Sequence, residues 1–327
     1  MLVPRRRFLH LAAGAAGTAA LPMMARRAAA QAYPVRPVHM VVGFPAGFAP
    51  DIIARLIGER LTDRLGKPFV VDNRPGAGST IGAEQVVNAP ADGYTLLMVV
   101  LSNALNQSLY PNLKYDLSRD LTAVASICNA PFLMLVNPEF PARTVPEFIA
   151  YAAANPGKIN MASGGNGTST HVFGELFKMT TKVDLVHIPY RGSYIPDLLS
   201  GQVQVLFGPI PQTIELVRSG KLRALGVTTP ARLASLPDVP SIGEFVPGYA
   251  AVGWYGVSAP KSTPPAVVDQ LNAAINAAVA EPAVTEKLAA MGVEPMPMRP
   301  PEFAAYIDDD IAKWAKVIKY AGIKPEF

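Results

Sequence analysis

The stretch Val41-Val42-Gly43-Phe44-Pro45-Ala46-Gly47-Phe48-Ala49-Pro50-Asp51-Ile52-Ile53-Ala54-Arg55-Leu56 decides how the chain is read. The valine-rich run from Val38 to Val42 predicts a strand, and Gly43, Pro45 and Gly47 break it. Asp51 is placed to cap a following helix, whose Ile52, Ile53, Leu56, Ile57, Leu61 and Leu65 recur at a spacing that lays one face on a sheet. A loop at a strand's carboxyl end that opens into a helix presents free N–H groups and a positive dipole end. Such a corner suits an anion, and a carboxylate is the smallest common organic one.

Working outward, the same grammar repeats. Phe69 to Val71 predicts a short strand running into Asp72-Asn73-Arg74-Pro75-Gly76-Ala77-Gly78-Ser79, with Ser79 as N-cap of the next helix. Tyr94 to Leu101 predicts a third strand, ending in the polar Ser102 and Asn103. Strands alternating with helices imply a largely parallel sheet with right-handed crossovers. Phe132 to Val136 is another strand, and the first crossing between domains is placed near it. Thr144-Val145-Pro146-Glu147 is a capping box. The pattern then restarts with strand Asn160 to Ser163, the Gly-rich turn Gly164 to Gly167 and a helix from Thr168. Strands Val183 to Ile188, Val203 to Phe207 and Leu222 to Thr228 complete a second set. Pro230 to Pro247 reads as a loop returning to the first domain, Ala251 to Ala259 as a strand, and the rest as helices.

At 327 residues the chain has room for two domains, and 32 prolines suit many short α/β connections better than a helix bundle. Arg5-Arg6-Arg7-Phe8-Leu9, an Ala/Gly-rich apolar run and Ala30-Gln31-Ala32 read as a twin-arginine export signal over residues 1–32, cleaved after Ala30 or Ala32. A retained basic anchor is disfavoured, because the apolar run falls short of the roughly 20 residues that span a bilayer. Removing five arginines with the signal leaves 24 Lys+Arg against 25 Asp+Glu, so the formal net charge moves from +4 to −1. No nucleic-acid or anionic-membrane partner follows from that balance. The single cysteine, Cys128, excludes an intrachain disulfide and reads as a buried small hydrophobe.

Catalytic constellations do not assemble. Ser169 and His171 lie two apart on a helix and face different sides, and Ala162-Ser163-Gly164 lacks the first glycine of a nucleophile elbow. Gly164-Gly165-Asn166-Gly167-Thr168-Ser169-Thr170 resembles a phosphate cradle in composition but has no lysine before its hydroxyl residues. It remains either a tight turn or a donor-rich loop at a helix start. Asp308 to Asp310 diverge on a helix, so no metal set and no cofactor are expected. Trp254 and Tyr255 read as core and lining. Two α/β units with donor-rich loops facing each other would form a ligand cleft without catalytic machinery.

An ordered series of motifs carries a resemblance. It comprises Tyr33-Pro34, Phe44-Pro45-Ala46-Gly47 with Asp51, Asn73-Arg74-Pro75-Gly76-Ala77-Gly78, Asp92-Gly93-Tyr94-Thr95-Leu96-Leu97, His187-Ile188-Pro189-Tyr190-Arg191-Gly192, Gly220-Lys221-Leu222-Arg223-Ala224-Leu225, Leu236-Pro237-Asp238-Val239-Pro240 and Trp314 with Gly322-Ile323-Lys324. Through them the chain resembles the substrate-binding proteins of tripartite tricarboxylate transporters, the Bordetella uptake gene (Bug) type of periplasmic receptor. The resemblance implies an α/β, two-lobed Venus-flytrap fold of periplasmic type II, with residues 33–132 and 251–327 as one lobe and 133–250 as the other. It implies a monomeric, non-catalytic receptor for di- or tricarboxylates, acidic or amidated amino acids or aromatic acids, held largely by main-chain N–H groups and serving a transporter's membrane subunits. A sensing partner in place of a transporter fits the same cleft.

Carried onto this sequence, the site comprises Phe44, Ala46, Gly47 and Asp51 from the first loop and Gly165, Asn166, Gly167, Thr168 and Ser169 from the second lobe, with Tyr190 and Gly208 nearby. Ser102 and Asn103 join by position at a strand's end. The chain departs from the family at Phe48, where a second glycine is usual. Two readings stand: Phe48 narrows the pocket toward a ligand with a ring or short aliphatic part, or it turns into the core.

Overall fold

The computed structural model describes residues 33–324. The expected export signal lies outside the described residues. Strand β1 (Val38–Val42) leads through the opening loop into helix α1 (Ala49–Leu65), which buries Ile53, Ala54, Leu56, Ile57 and Leu61 while Ile52 is left 38% exposed. Each fully buried Ile or Leu contributes about 1.5–3 kcal/mol, which holds α1 on the sheet. The helix begins two residues before Asp51, so Asp51 occupies its first turn and Phe48 the N-cap position.

The chain continues through β2 (Phe69–Asn73), α2 (Thr80–Val87), β3 (Thr95–Val100), α3 (Leu101–Leu109), α4 (Leu117–Asp120) and β4 (Leu121–Ala130). It then changes sheet. The second unit contains β5 (Phe132–Val136), α5 (Val145–Ala154), β6 (Asn160–Ser163), α6 (Ser169–Thr181), β7 (Val186–Pro189), α7 (Ile195–Leu199), β8 (Val205–Pro209), α8 (Ile210–Arg218) and β9 (Arg223–Val227). The return strand β10 (Gly253–Pro260) rejoins the first sheet, and α9 (Pro265–Val279), α10 (Pro282–Ala290) and α11 (Pro300–Ala321) follow.

Two five-stranded sheets result, ordered β2-β1-β3-β10-β4 and β7-β6-β8-β5-β9. In each, three strands pair in parallel, a strand arriving from the other lobe lies antiparallel beside them, and the edge strand opposes that newcomer. Four strands therefore share one direction and β10 or β5 runs against them, which gives the two lobes a single topology. The sheet change falls between Ala130 and Phe132.

Three elements escape the sequence pattern: α3, the short α4 and β4. Strand β4 is buried along most of its length and lacks a turn signal ahead of it, since α4 runs directly into it. Helix α3 begins at the residue after β3 ends, with no Gly, Pro or hydroxyl cap between. Asn103 supplies the missing cap from inside, its Oδ1 accepting the Val100 N–H at 3.0 Å.

Helix α11 lies against α3 of the first lobe and α6 of the second. Trp314 on α11 stacks on Phe173 of α6 with ring centroids 5.2 Å apart, so one apolar core runs through the contact between lobes.

Candidate functional site

A cavity of about 600 Å³ lies between the lobes. Three strand-to-helix loops of the first lobe reach it, after β1 (Gly43 to Phe48), β2 (Pro75 to Ser79) and β3 (Val100 to Ser102). Three loops of the second lobe face them, after β6 (Gly164 to Thr170), β7 (Tyr190 to Tyr194) and β8 (Pro209 to Gln212). The loops correspond one to one under the shared topology, all at the carboxyl ends of parallel strands, where α/β folds place their ligands.

In the first lobe, Asp51 organises the opening loop. It is 3% exposed and accepts hydrogen bonds from the Gly47 N–H (2.9 Å), Arg55 Nε (3.1 Å) and Asn73 Nδ2 (3.0 Å). Burial alone would raise the carboxyl's pKa, but the bonds from Arg55, Gly47 and Asn73 outweigh it and hold the group below its ordinary value. Asn73 also donates to the Phe44 carbonyl, at 3.0 Å. The neighbouring turn is strained: Ala77, Gly78 and Ser79 all have positive φ (45°, 59° and 79°). Asn106 Nδ2 holds it by donating to the Gly78 carbonyl at 2.8 Å, and Asn103 Nδ2 donates to Ser79 Oγ at 3.1 Å. Ser79 sits at the N-cap position of α2 without making the expected side-chain cap.

The second lobe builds its loop with hydroxyls and an imidazole in place of a carboxylate. Thr168 Oγ1 donates to the Gly165 carbonyl (2.8 Å), the Gly164 N–H to Thr170 Oγ1 (2.9 Å), the Gly165 N–H to Ser163 Oγ (3.1 Å) and the Gly167 N–H to His171 Nδ1 (3.1 Å). Beneath them the rings of His171 and His187 stack at 3.5 Å, and His187 Nε2 lies 2.5 Å from Ser163 Oγ. Burial first, and then the neighbouring His171, push the His187 pKa down to about 3, so this ring is neutral. His171 Nε2 lies 3.5 Å from the buried Glu175, which Lys178 also pairs at 2.8 Å.

Of the residues expected from sequence, Phe44, Phe48, Ser102, Gly165, Asn166, Thr168, Ser169 and Tyr190 line the cavity. Six do not. Ala46 and Gly47 form the exposed loop tip, Asp51 and Asn103 brace loops from behind, Gly208 is buried in its strand, and Gly167 packs toward Leu109 of α3. Phe48 therefore contributes to the cavity wall. Sequence reasoning missed the Pro75–Ser79 turn, Tyr194 and Gln212 as lining, along with the cavity role of Phe132. The Asn-Arg-Pro-Gly-Ala-Gly run ahead of Ser79 was the available signal for the first of these.

Five helices of eight or more residues, α1, α2, α3, α6 and α8, turn their N-terminal ends to this cavity. Among the described lining residues Arg191, exposed at the surface, is the one charged side chain, and none is acidic. Converging positive dipole ends favour an anion.

Two lobes of one topology, crossed twice by the chain and closing on a shared amide-lined cavity, define a two-lobed solute-binding protein. The profile of the tripartite tricarboxylate transporter family receptors matches residues 53–323, and the chain belongs to that family. Members of this family are periplasmic solute-binding receptors, not enzymes. The chain is 37% identical to Protein BugT of Bordetella pertussis over 300 residues, covering 90% of this chain and 92% of the relative. Among solved structures it is similar to R. palustris Rpa4515 with adipate (36% identity, TM-score 0.85, 90% of this chain and all of the other). It is also similar to MatC (Rpa3494) from Rhodopseudomonas palustris with bound malate (32% identity, TM-score 0.80, 88% of this chain and all of the other). No helix among the described residues is long and apolar enough to cross a membrane.

Proposed function

We propose that this protein is a periplasmic receptor that captures a small organic carboxylate between its lobes and delivers it to the membrane subunits of a tripartite tricarboxylate-type transporter. The observation that carries the reading is the convergence of five helix N-termini on a cavity with no acidic lining residue. A carboxylate there accepts main-chain N–H bonds and meets favourable dipoles from both sides. The adipate and malate held by structural relatives support the same chemistry. The two lobes, which the chain crosses between Ala130 and Phe132 and again ahead of β10, act as the two jaws of a monomer, closing on the ligand by hinge motion. Residues 1–32 direct twin-arginine export.

Isothermal titration with a panel of carboxylates and their carboxamide analogues tests this. Carboxylates are expected to bind at least about a hundredfold more tightly than the matched amides, since charge-assisted bonds contribute roughly twice what neutral ones do. Equal binding of acid and amide, or no binding by any acid together with no acid released on denaturation, would sink the reading.

A further inference from the structure

The carboxylate reading explains the helix N-termini and leaves the rest of the cavity wall unused. That wall is aromatic. Phe44 and Phe48 come from the first lobe, Phe132 and Tyr190 from the second, and Trp254 and Tyr255 from the return strand β10. Such rings prefer a flat, weakly hydrated partner, which they grip by stacking and edge contacts, over a flexible polyanion. One exposed arginine is the full ionic complement of the described lining. A tricarboxylate would have to leave water with most of its charge uncompensated.

Polar groups at this wall are neutral and incompletely matched. Tyr255 is 6% exposed, lines the cavity, and its hydroxyl finds no hydrogen-bond partner among the described residues. The Tyr194 hydroxyl donates to Gln212 Oε1 at 3.0 Å, which commits the amide oxygen and leaves the Gln212 Nε2 hydrogens as donors on a cavity-lining side chain. Tyr190 lends its ring alone, because its hydroxyl donates to Asp197 at 2.6 Å. Burial raises the Tyr194 and Tyr255 phenols well above their ordinary value, so both remain protonated donors. Two unmatched donors call for an acceptor on the ligand, and with the carboxylate already placed at the helix N-termini a neutral oxygen meets that need without bringing a second charge out of water.

Resting on the carboxylate reading, we propose that the ligand is a ring-bearing monocarboxylate with a neutral oxygen substituent, a hydroxyl or carbonyl, on its ring. The carboxylate sits at the helix N-termini, the ring lies against Phe48 and its aromatic neighbours, and the substituent oxygen accepts from Tyr255 and Gln212. Phe48 and Tyr255 are thereby specificity-determining residues.

The test compares benzoate, the three monohydroxybenzoates, adipate and citrate by isothermal titration on the wild-type protein, Tyr255→Phe and Phe48→Gly. At least one hydroxybenzoate is expected to bind about tenfold more tightly than benzoate, the worth of one or two good hydrogen bonds. Tyr255→Phe should collapse that ratio to near one, with benzoate binding serving as its own control for folding. Phe48→Gly should lower the preference for ring acids over adipate. Tight adipate or citrate binding with weak ring-acid binding would overturn this proposal and leave the carboxylate reading standing, as would a ratio untouched by Tyr255→Phe. Failure of every acid in the set would bring down both.

Discussion

The two lobes share a strand order and place equivalent loops around one cavity, yet they secure those loops by opposite chemistry. In the first lobe a buried carboxylate, Asp51, gathers an amide, a guanidinium and a carboxamide. In the second, hydroxyls and a stacked pair of imidazoles do the same work, with no carboxylate bonded to the loop amides. The glycines differ as well. A β-carbon at Gly43 would collide with Ser79 of its own lobe, whereas one at Gly167 would collide with Leu109 of the other. Backbone topology thus dictates where donors point, while the means of holding them there is free to differ, and with it the response to acid.

The comparison is broken most severely by removing its charged half. Asp51→Ala leaves the Gly47 amide without its acceptor, takes from Asn73 one of its two, and is expected to cost about 3 kcal/mol. Urea denaturation would register this, and a midpoint within error of wild type would show that the carboxylate does not brace the loop. Gly167→Ala comes next, at about 2–3 kcal/mol from the positive φ of 74° and the collision with Leu109. Its effect should appear in ligand affinity by calorimetry, because the crowded contact joins the lobes. An equal loss in unfolding free energy at Gly43→Ala and Gly167→Ala, with affinity intact in both, would erase the distinction.

Acid separates the lobes next. Native His187 resists protonation down to about pH 3, while the unfolded chain takes a proton near 6.5. Stability is therefore complete above pH 6.5 and falls by roughly 1.4 kcal/mol per pH unit as the pH drops toward 3. Asp51 has the depressed-carboxylate sign too, but its contribution is lost only as the pH falls below 3.8. Between pH 6 and 4.5 the urea midpoint should decline in wild type and Asp51→Asn alike and flatten in His187→Gln; a slope unchanged by His187→Gln would refute the assignment. Smallest is Asn166→Ala, which removes the 3.2 Å bond from Asn166 Nδ2 to the Lys324 carbonyl. A loss of about 1 kcal/mol or less is expected in thermal unfolding.

Periodicity and punctuation made most of this architecture legible. Loops bounded by Gly and Pro, such as Gly43 to Gly47 and Gly164 to Gly167, were found at strand ends because their sequence announces a break. Helix α3 stayed hidden for the converse reason: Leu101 follows Val100 without a breaker, and its cap comes from Asn103, within the helix itself. Ala77 and Ser79 at positive φ are legible only from tertiary context, since the neighbouring asparagines that hold the turn lie far along the chain. Within the candidate site, residues that face the cavity and residues that brace a loop from behind look the same in sequence. Phe44 and Asp51 share a motif, but one lines the wall and the other is buried under the loop.

The contact of α11 with both lobes gives the molecule a built-in optical reporter. Trp254 borders the cavity and donates through Nε1 to Asp310 at 2.6 Å, while Trp314, one helical turn beyond Asp310, stacks on Phe173 across the interlobe seam. These are the chain's two indoles. Intrinsic emission therefore samples the chamber and the joint together, and a titration followed by fluorescence can read occupancy without a dye attached to either jaw.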